Sequence, residues 1–167
     1  MFAFVGDSQL LRMPKALSIS VHHQVDVKME DADVLLEDLL RTVQKVPIHS
    51  LVIVINCGSN NLTAVSGDGG YDWPSQETIN QSIERGVRRI RAVLQTAHVA
   101  INRVYWSNVV GRRDVPDELV EYFRERLEWC VLRPEASAIQ HIVLENDQLF
   151  LNHLSLADDL ICRITEC

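Results

Sequence analysis

The sequence predicts a three-layer α/β sandwich built around a parallel sheet of about five strands. Residues 1–5 and 51–55 are almost wholly apolar and rich in Val, Ile and Phe, which is typical of strands buried on both faces. Segments with apolar residues at helical spacing alternate with these strands, as is typical where helices form right-handed crossovers between parallel strands. A chain of 167 residues is long enough for one such core, so residues 1–167 are expected to form a single domain.

The remaining elements follow from weaker patterns. Residues 99–107 and 138–144 are further β-rich candidates, and a weaker one lies within residues 17–29. Helical spacing is shown by Val34, Leu35, Leu39 and Val43, by Ile79, Ile83, Val87, Ile90 and Leu94, and by Leu119, Phe123 and Leu127. The predicted starts of these helices are Asp31 or Asp33, Ser75, and Pro116 at a first helical position. A last helix is expected over residues 156–167, capped by Ser155, and residues 64–74 are expected to form a surface loop.

Composition excludes several classes of protein. A net charge of −7 argues against broad electrostatic binding of nucleic acid. No apolar run approaches the roughly 18 residues of a membrane span, and the first residues do not resemble a signal peptide, so we expect an intracellular protein. The spacing of Cys57, Cys130, Cys162 and Cys167 matches no zinc pattern. We therefore expect four reduced thiols, no metal and no cofactor.

A serine follows the first predicted strand, in the tripeptide Gly6-Asp7-Ser8. Ligands of parallel sheets bind beyond the carboxyl ends of the strands. A serine at such a turn can use backbone N–H groups at the start of the next helix to hold an oxyanion. The alternative is that Asp7 or Ser8 caps that helix and does nothing else.

Two further polar segments follow later strands. Gly58 allows a sharp turn after the strand at 51–55, and Asn60 and Asn61 then present amide donors suited to a developing oxyanion. The alternative is a turn whose asparagines bond their own backbone. His153 lies beyond the last strand, just before the final helix, and no role is assigned to the other five histidines.

This order of motifs resembles the SGNH (GDSL-like) hydrolase family, whose blocks include GDS, GxND and DxxH. The resemblance implies a flavodoxin-like sandwich and a serine esterase that acts on a small ester substrate without a cofactor. It implies that Ser8 is the nucleophile, that His153 is the base, and that Asn60 and the N–H of Ser8 bind the oxyanion. Gly58, Asn61 and Asp7 would support the same site.

Three positions depart from the family pattern. Phe150 stands where the DxxH aspartate belongs, so the imidazole would have to be oriented by Asp147, by Glu145, by a backbone carbonyl or by water. Residues 29–32 lack the glycine of the second block, and Asn61 stands where the family usually has Asp. The third member of a triad fixes the imidazole tautomer, so its loss predicts a weaker Ser–His dyad.

A second function remains open on this evidence, namely a module of the same fold that has lost efficient catalysis and binds RNA or a protein. It depends on a run of arginines in one predicted helix and three more near it in sequence: Arg85, Arg88, Arg89 and Arg91, with Arg103, Arg112 and Arg113. The alternative explanation of this run is an ordinary solvated helix face.

Overall fold

A computed structural model describes residues 2–7, 19–45, 51–65, 67–109 and 111–144. The strands are β1 (Phe2–Gly6), β2 (Ile19–His23), β3 (Leu51–Asn56), β4 (Ala64–Val65), β5 (Tyr71–Asp72), β6 (Ile101–Ser107) and β7 (Gln140–Leu144). The helices are α1 (Ala32–Val43), α2 (Gln76–Gln95) and α3 (Asp117–Val131), and two 3₁₀ turns span Met29–Asp31 and Ser59–Leu62.

Five strands form one all-parallel sheet in the order β2-β1-β3-β6-β7, which confirms the predicted α/β class. The register aligns Val5 with Ile55, Ile55 with Trp106, and Trp106 with Val143. Counting only the strands of this sheet, the order is 2-1-3-4-5, which is the flavodoxin-like arrangement. The direction of strand growth reverses between β1 and β3.

Helices α1, α2 and α3 all pack on one face of this sheet. Their apolar stripes share a core with alternate strand residues: Ala3, Val5, Ile53, Ile55, Val104 and Trp106. Because strand side chains alternate between faces, Phe4, Val54 and Tyr105 point to the other face, where they are fully buried. The remaining layer of the predicted sandwich, with the helix at 156–167, falls outside the described residues.

Helix α1 differs in one respect from its sequence pattern. Val34 was expected on the apolar stripe, yet its side chain is 63% exposed. The buried residues are Ala32, Leu36, Leu39, Leu40 and Val43. Since Val34 lies two residues before Leu36, it points about 200° away from it around the helix axis. Asp31 precedes the helix, but its side chain makes no capping hydrogen bond.

The starts of the other two helices agree closely with the sequence. Ser75 caps α2, accepting a 3.1 Å hydrogen bond from the Thr78 amide. Pro116 was expected as the first helical residue but is the cap residue, so α3 begins one residue later, at Asp117. The expected loop at 64–74 contains a short antiparallel hairpin, in which Ala64 pairs with Asp72. A two-residue strand has no periodic pattern that could have revealed it.

Helix α2 lies unusually close to the 3₁₀ turn at Met29–Asp31. A methyl group added to Gly86 would stand 2.7 Å from the carbonyl oxygen of Met29 and 2.6 Å from its Cγ. From the next turn of the helix, Arg89 Nη1 donates a 2.7 Å hydrogen bond to the carbonyl oxygen of Glu30. The absence of a side chain at residue 86 therefore allows the helix to hold this turn in place.

A histidine in β7, His141, has a largely buried side chain and links this strand to β6. Trp106 Nε1 donates to His141 Nδ1 at 3.1 Å, so Nδ1 is an acceptor and the neutral ring carries its proton on Nε2. Glu135 Oε2 lies 3.9 Å from that Nε2 and 2.7 Å from Arg91 Nε. Burial lowers the pKa of His141, the charge of Arg91 lowers it further, and Glu135 acts in the opposite direction. The imidazole is therefore held neutral.

Candidate functional site

Buried polar side chains collect at one edge of the sheet. In the described part of the chain, the polar residues classed as buried are Asp7, Asn56, Asn61, Ser107 and Asn108. Each ends, or closely follows, strand β1, β3 or β6. In a parallel sheet these carboxyl ends share an edge, and that edge is where ligands bind. The rest of the core is apolar, so the buried polar groups are concentrated at this edge of the sheet.

Strands β1 and β3 bring the first two motifs together. Gly6 is aligned with Asn56, and the Asp7 amide donates a 3.0 Å hydrogen bond to the Asn56 carbonyl. The chain therefore leaves β1 beside the start of the turn that Gly58 makes after β3, which we call the Gly58 turn. The topological reversal lies between these two strands, and loops that diverge at such a point leave a crevice for ligand. Ser8 is the next residue in sequence and lies outside the described residues.

The turn after β3 requires glycine at residue 58. Gly58 has a φ of 122°, in the region that L side chains rarely adopt. A Cβ there would stand 2.4 Å from the Phe123 ring and 3.1 Å from Val109 Cγ1. The Gly58 carbonyl accepts a 2.9 Å hydrogen bond from the Asn61 amide, which closes the turn. Backbone conformation and space thus both exclude a side chain.

Asn60 is half-buried and held by a backbone contact. Its Nδ2 donates a 3.0 Å hydrogen bond to the carbonyl of Val27. A primary amide carries two N–H groups, and the second finds no acceptor among the residues that the structure describes. The observed bond fixes the amide, so the remaining N–H is available as a donor in a fixed direction.

Asn61 connects the Gly58 turn to the Met29–Asp31 turn. Its Oδ1 accepts a 2.9 Å hydrogen bond from the Met29 amide, and its Nδ2 donates a 2.7 Å bond to Glu30 Oε2. Ser82 Oγ lies 3.3 Å from the other oxygen of that carboxylate. An aspartate at residue 61 could not donate to Glu30 and would place two carboxylates in contact. Two departures from the SGNH pattern, the amide at 61 and the glycine-free segment at 29–32, therefore form one bonded unit.

Arg112 supports the same turn from the loop after β6. Its Nη1 lies 3.2 Å from the carbonyl oxygen and 3.3 Å from Oγ of Ser59. Its Nε and Nη2 bind both carboxylate oxygens of Asp114, at 2.9 Å and 2.5 Å. The hydrogen bond from Arg112 lowers the pKa of Asp114. Trp73 Nε1 donates to the Asp114 carbonyl at 3.0 Å, which ties in the hairpin loop as well.

Neither Glu30 nor Arg112 was expected at this site from the sequence. Glu30 is 31 residues from Asn61, and Arg112 is 53 residues from Ser59. Neither pair has a local spacing pattern that would indicate it. The resemblance had drawn attention to segment 29–32 only for its missing glycine.

Cys57, next to the Gly58 turn, is buried and unpaired, as expected for a small residue beneath a turn. Its Sγ lies 3.8 Å from Met29 Sδ. Burial raises the pKa of the thiol, and the charges of Asp7 and Glu30 raise it further. This thiol is therefore protonated at neutral pH and is a poor nucleophile. Cys130 is also free, and Cys162 and Cys167 lie outside the described residues.

The arginines noted in the sequence do not form one patch. Arg89 and Arg112 bind within the site loops, as described above. Arg91 donates to the carbonyls of Cys130 and Val131 at the end of α3, in addition to its ion pair with Glu135. The other four have no hydrogen-bond or ion-pair partner within the described ranges: Arg85, Arg88, Arg103 and Arg113. Arg103 precedes Val104 in β6 and so faces away from the helices.

Three expected site residues, Ser8, His153 and Asp147, lie outside the described residues, as does Phe150. Within the described ranges, no three His, Cys, Asp or Glu side chains converge to hold a metal ion. No helix there is both long and apolar enough to span a bilayer. Comparison with models of known protein families and with curated proteins gives no match to this chain.

Proposed function

We propose that the chain is a serine ester hydrolase of the SGNH type. The observation that carries this proposal is the meeting of two segments at the topological reversal. The Asp7 amide bonds to the Asn56 carbonyl, so the described chain ends at Asp7 beside the start of the Gly58 turn. A nucleophile directly after Asp7 would lie beside the amide donors of that turn, as acyl transfer requires.

In this mechanism Ser8 Oγ attacks the carbonyl carbon of the ester, and His153 takes the hydroxyl proton. The carbonyl oxygen becomes an oxyanion, which accepts hydrogen bonds from the second N–H of Asn60 and the backbone N–H of Ser8. His153 then returns the proton to the leaving alcohol. Water enters by the reverse route and releases the acid from Ser8.

The described residues support a rigid donor. Asn60 is tied to Val27, Asn61 to Met29 and Glu30, and Ser59 to Arg112. Donors fixed before the reaction stabilise an oxyanion without a cost of reorganisation during the step. The turn that carries Asn60 is therefore anchored on three sides, which agrees with a catalytic role more closely than with a surface turn.

The absence of the family aspartate predicts low activity. Phe150 cannot accept the imidazole N–H, so orientation of His153 would depend on Asp147 or on a backbone carbonyl. We expect weak hydrolysis that increases above the pKa of His153, where the base is neutral. Phe150→Asp is expected to raise turnover about tenfold or more, a fraction of the roughly 10⁴-fold effect of the acid in serine proteases.

The test is hydrolysis of a short-chain aryl ester by the wild type, Ser8→Ala and Phe150→Asp. Asn60→Ala is included because it removes the donor but no proton-transfer group. Loss of activity in Ser8→Ala and Asn60→Ala, with a gain in Phe150→Asp, would support the mechanism. If the wild type is no faster than Ser8→Ala and Phe150→Asp changes nothing, the chain is not an esterase and binding becomes the function to test.

A further inference from the structure

Helix α2 contacts the Met29–Asp31 turn along one stripe of its surface. Ser82, Gly86 and Arg89 are spaced by four and three residues, so they lie on the same face of the helix. Gly86 is the point of closest approach. The other two residues both bond to Glu30: Ser82 Oγ lies 3.3 Å from Oε1, and Arg89 Nη1 donates to the carbonyl oxygen at 2.7 Å. The helix therefore holds Glu30 both by its side chain and by its backbone.

The segment that contains Glu30 also holds both asparagines of the Gly58 turn. Glu30 Oε2 accepts the 2.7 Å hydrogen bond from Asn61 Nδ2, so this one residue is bonded to α2 and to Asn61. Three residues before Glu30, the carbonyl of Val27 accepts the 3.0 Å bond that fixes the Asn60 amide. Val27 is buried, so its position is set by packing as well. Both asparagines thus depend on where α2 holds this segment.

The chain between Val27 and Glu30 is short and closed on itself. The Asp31 amide donates a 3.1 Å hydrogen bond to the Lys28 carbonyl, and the Met29 amide donates to Asn61 Oδ1, as described above. A segment of this length, with both amides bonded, has little freedom to absorb a shift of the Glu30 backbone. We expect such a shift to reach the Val27 carbonyl and to turn the amide that this carbonyl holds.

Arg89 differs from the two neighbouring arginines of α2, although all three are exposed. Arg85 lies one turn earlier, about 40° from Arg89 around the helix axis, and Arg88 directly precedes it. Neither of these two has a hydrogen-bond or ion-pair partner in the part of the chain that the structure describes. Arg89 makes a charge-assisted bond to a backbone carbonyl, which is stronger than a bond between neutral groups. Its guanidinium is therefore the one of the three that can hold the turn.

We propose that Arg89 is a positioning residue for the esterase reaction, because it holds the Glu30 backbone against α2 and so fixes the direction of the second Asn60 N–H. The kinetic consequence rests on the proposed function, and the structural one rests on the described contacts alone. A donor stabilises an oxyanion only if it points at it, and a misplacement of about 1 Å can cost about 100-fold in rate. Ser82 and the Gly86 contact remain in Arg89→Ala, so we expect a smaller loss of about tenfold.

The first test is aryl-ester hydrolysis by Arg89→Ala, Arg89→Lys and Arg85→Ala, at a temperature where each variant is fully folded by circular dichroism. Arg89→Ala is expected to lower kcat about tenfold and to leave KM within about twofold, because the donor acts on the transition state. Arg89→Lys retains a cation that can donate to the Glu30 carbonyl and should recover most of the loss. Arg85→Ala makes the same change of charge on the same face of α2 and should change neither constant. If Arg89→Ala does not fold, Ser82→Ala takes its place, since it removes the other bond from α2 to Glu30.

The second test does not depend on catalysis. In isotope-labelled protein, the side-chain amide resonances of Asn60, identified by their loss in Asn60→Ala, report the bonding of its two N–H groups. Arg89→Ala is expected to shift them, and Arg85→Ala is not. If the wild type is inactive, the kinetic consequence fails with the proposed function, and these resonances still decide whether Arg89 orients the amide.

The proposal is overturned if Arg89→Ala shifts the Asn60 resonances no more than Arg85→Ala does. In an active enzyme it is also overturned if Arg89→Ala lowers the free energy of unfolding but leaves kcat unchanged, since Arg89 would then only stabilise the fold. An increase in KM without a decrease in kcat would likewise contradict a role in orienting the donor.

Discussion

Replacing Asn61 with aspartate tests whether Asn61 and Glu30 act as one unit. The side chain of Asn61 is nearly isosteric with aspartate, so the variant changes charge and hydrogen bonding without changing volume. In the native protein the Asn61 amide donates to the Glu30 carboxylate at 2.7 Å, and residue 61 is only 7% exposed. Asn61→Asp removes this donor and brings two carboxylates into contact.

The magnitude follows from two competing costs. Two negative charges 2.7 Å apart repel by about 6 kcal/mol at an effective dielectric constant of about 20. Protonating one carboxyl group at pH 7 costs about 4 kcal/mol, because its ordinary pKa lies about three units lower. Protonation is the cheaper route, so the pair takes up a proton and the loss of stability at pH 7 is limited to about 4 kcal/mol. The loss should fall by about 1.4 kcal/mol for each unit of decrease in pH.

The assay is urea denaturation at pH 7 and pH 5 of the wild type, Asn61→Asp, Glu30→Gln and the double variant. We expect Asn61→Asp to cost about 3–4 kcal/mol at pH 7 and about 1 kcal/mol at pH 5. The double variant should recover at least about 2 kcal/mol at pH 7, because glutamine at residue 30 can donate to the new aspartate. An equal loss at both pH values, or no recovery in the double variant, would refute the reasoning.

Tyr105 is fully buried and its hydroxyl has no hydrogen-bond partner among the described residues, so Tyr105→Phe should leave the free energy of unfolding unchanged or raise it by up to about 1 kcal/mol. Burial and the charge of Arg91 lower the pKa of His141, so the unfolded chain binds that proton more tightly than the folded chain does. The free energy of unfolding should therefore fall below about pH 6.5, by at most about 1.4 kcal/mol per pH unit, and His141→Asn should remove this contribution. If the chain is an esterase, Arg112→Ala should lower kcat about tenfold with little change in KM, because the donor turn loses a support, while Arg113→Ala should change neither.

Each of these has a clear contrary result. Tyr105→Phe that loses more than about 1 kcal/mol in urea would mean that the hydroxyl is bonded in solution. If the free energy of unfolding of His141→Asn falls with acidification as much as that of the wild type, groups other than His141 cause the loss. A rise in KM without a fall in kcat would show that Arg112 contacts substrate rather than positioning the turn.

Features repeated along the chain were predictable from the sequence. The apolar runs at 1–5 and 51–55 correspond to β1 and β3, and the five residues of the predicted apolar stripe in α2 are all buried: Ile79, Ile83, Val87, Ile90 and Leu94. A strand buried on both faces and a helix buried along one stripe each impose a regular pattern, so the pattern identifies the element. The parallel sheet of about five strands then followed from the alternation of strands and helices and from the rules for crossovers.

Contacts between distant segments were not predictable in the same way. The bond from Asn61 to Glu30 and that from Arg112 to Ser59 depend on how separate loops meet at the sheet edge. Val34 fits an apolar spacing, but the position of the helix against the sheet turns it to solvent. The contact between the ends of β1 and β3, at Asp7 and Asn56, could be predicted, because the carboxyl ends of neighbouring parallel strands lie together.

The close approach at Gly86 lets α2 support the Met29–Asp31 turn, which belongs to a distant part of the chain. With only a hydrogen atom at residue 86, the helix touches the carbonyl of Met29, whose amide in turn holds Asn61. In Gly86→Ala, the added methyl group would displace the Met29–Asp31 turn without altering any polar group of the site. A substitution at residue 86 therefore shifts Asn60 and Asn61 although it lies outside their loop. A set of small side chains there would move the two asparagines by fractions of an ångström.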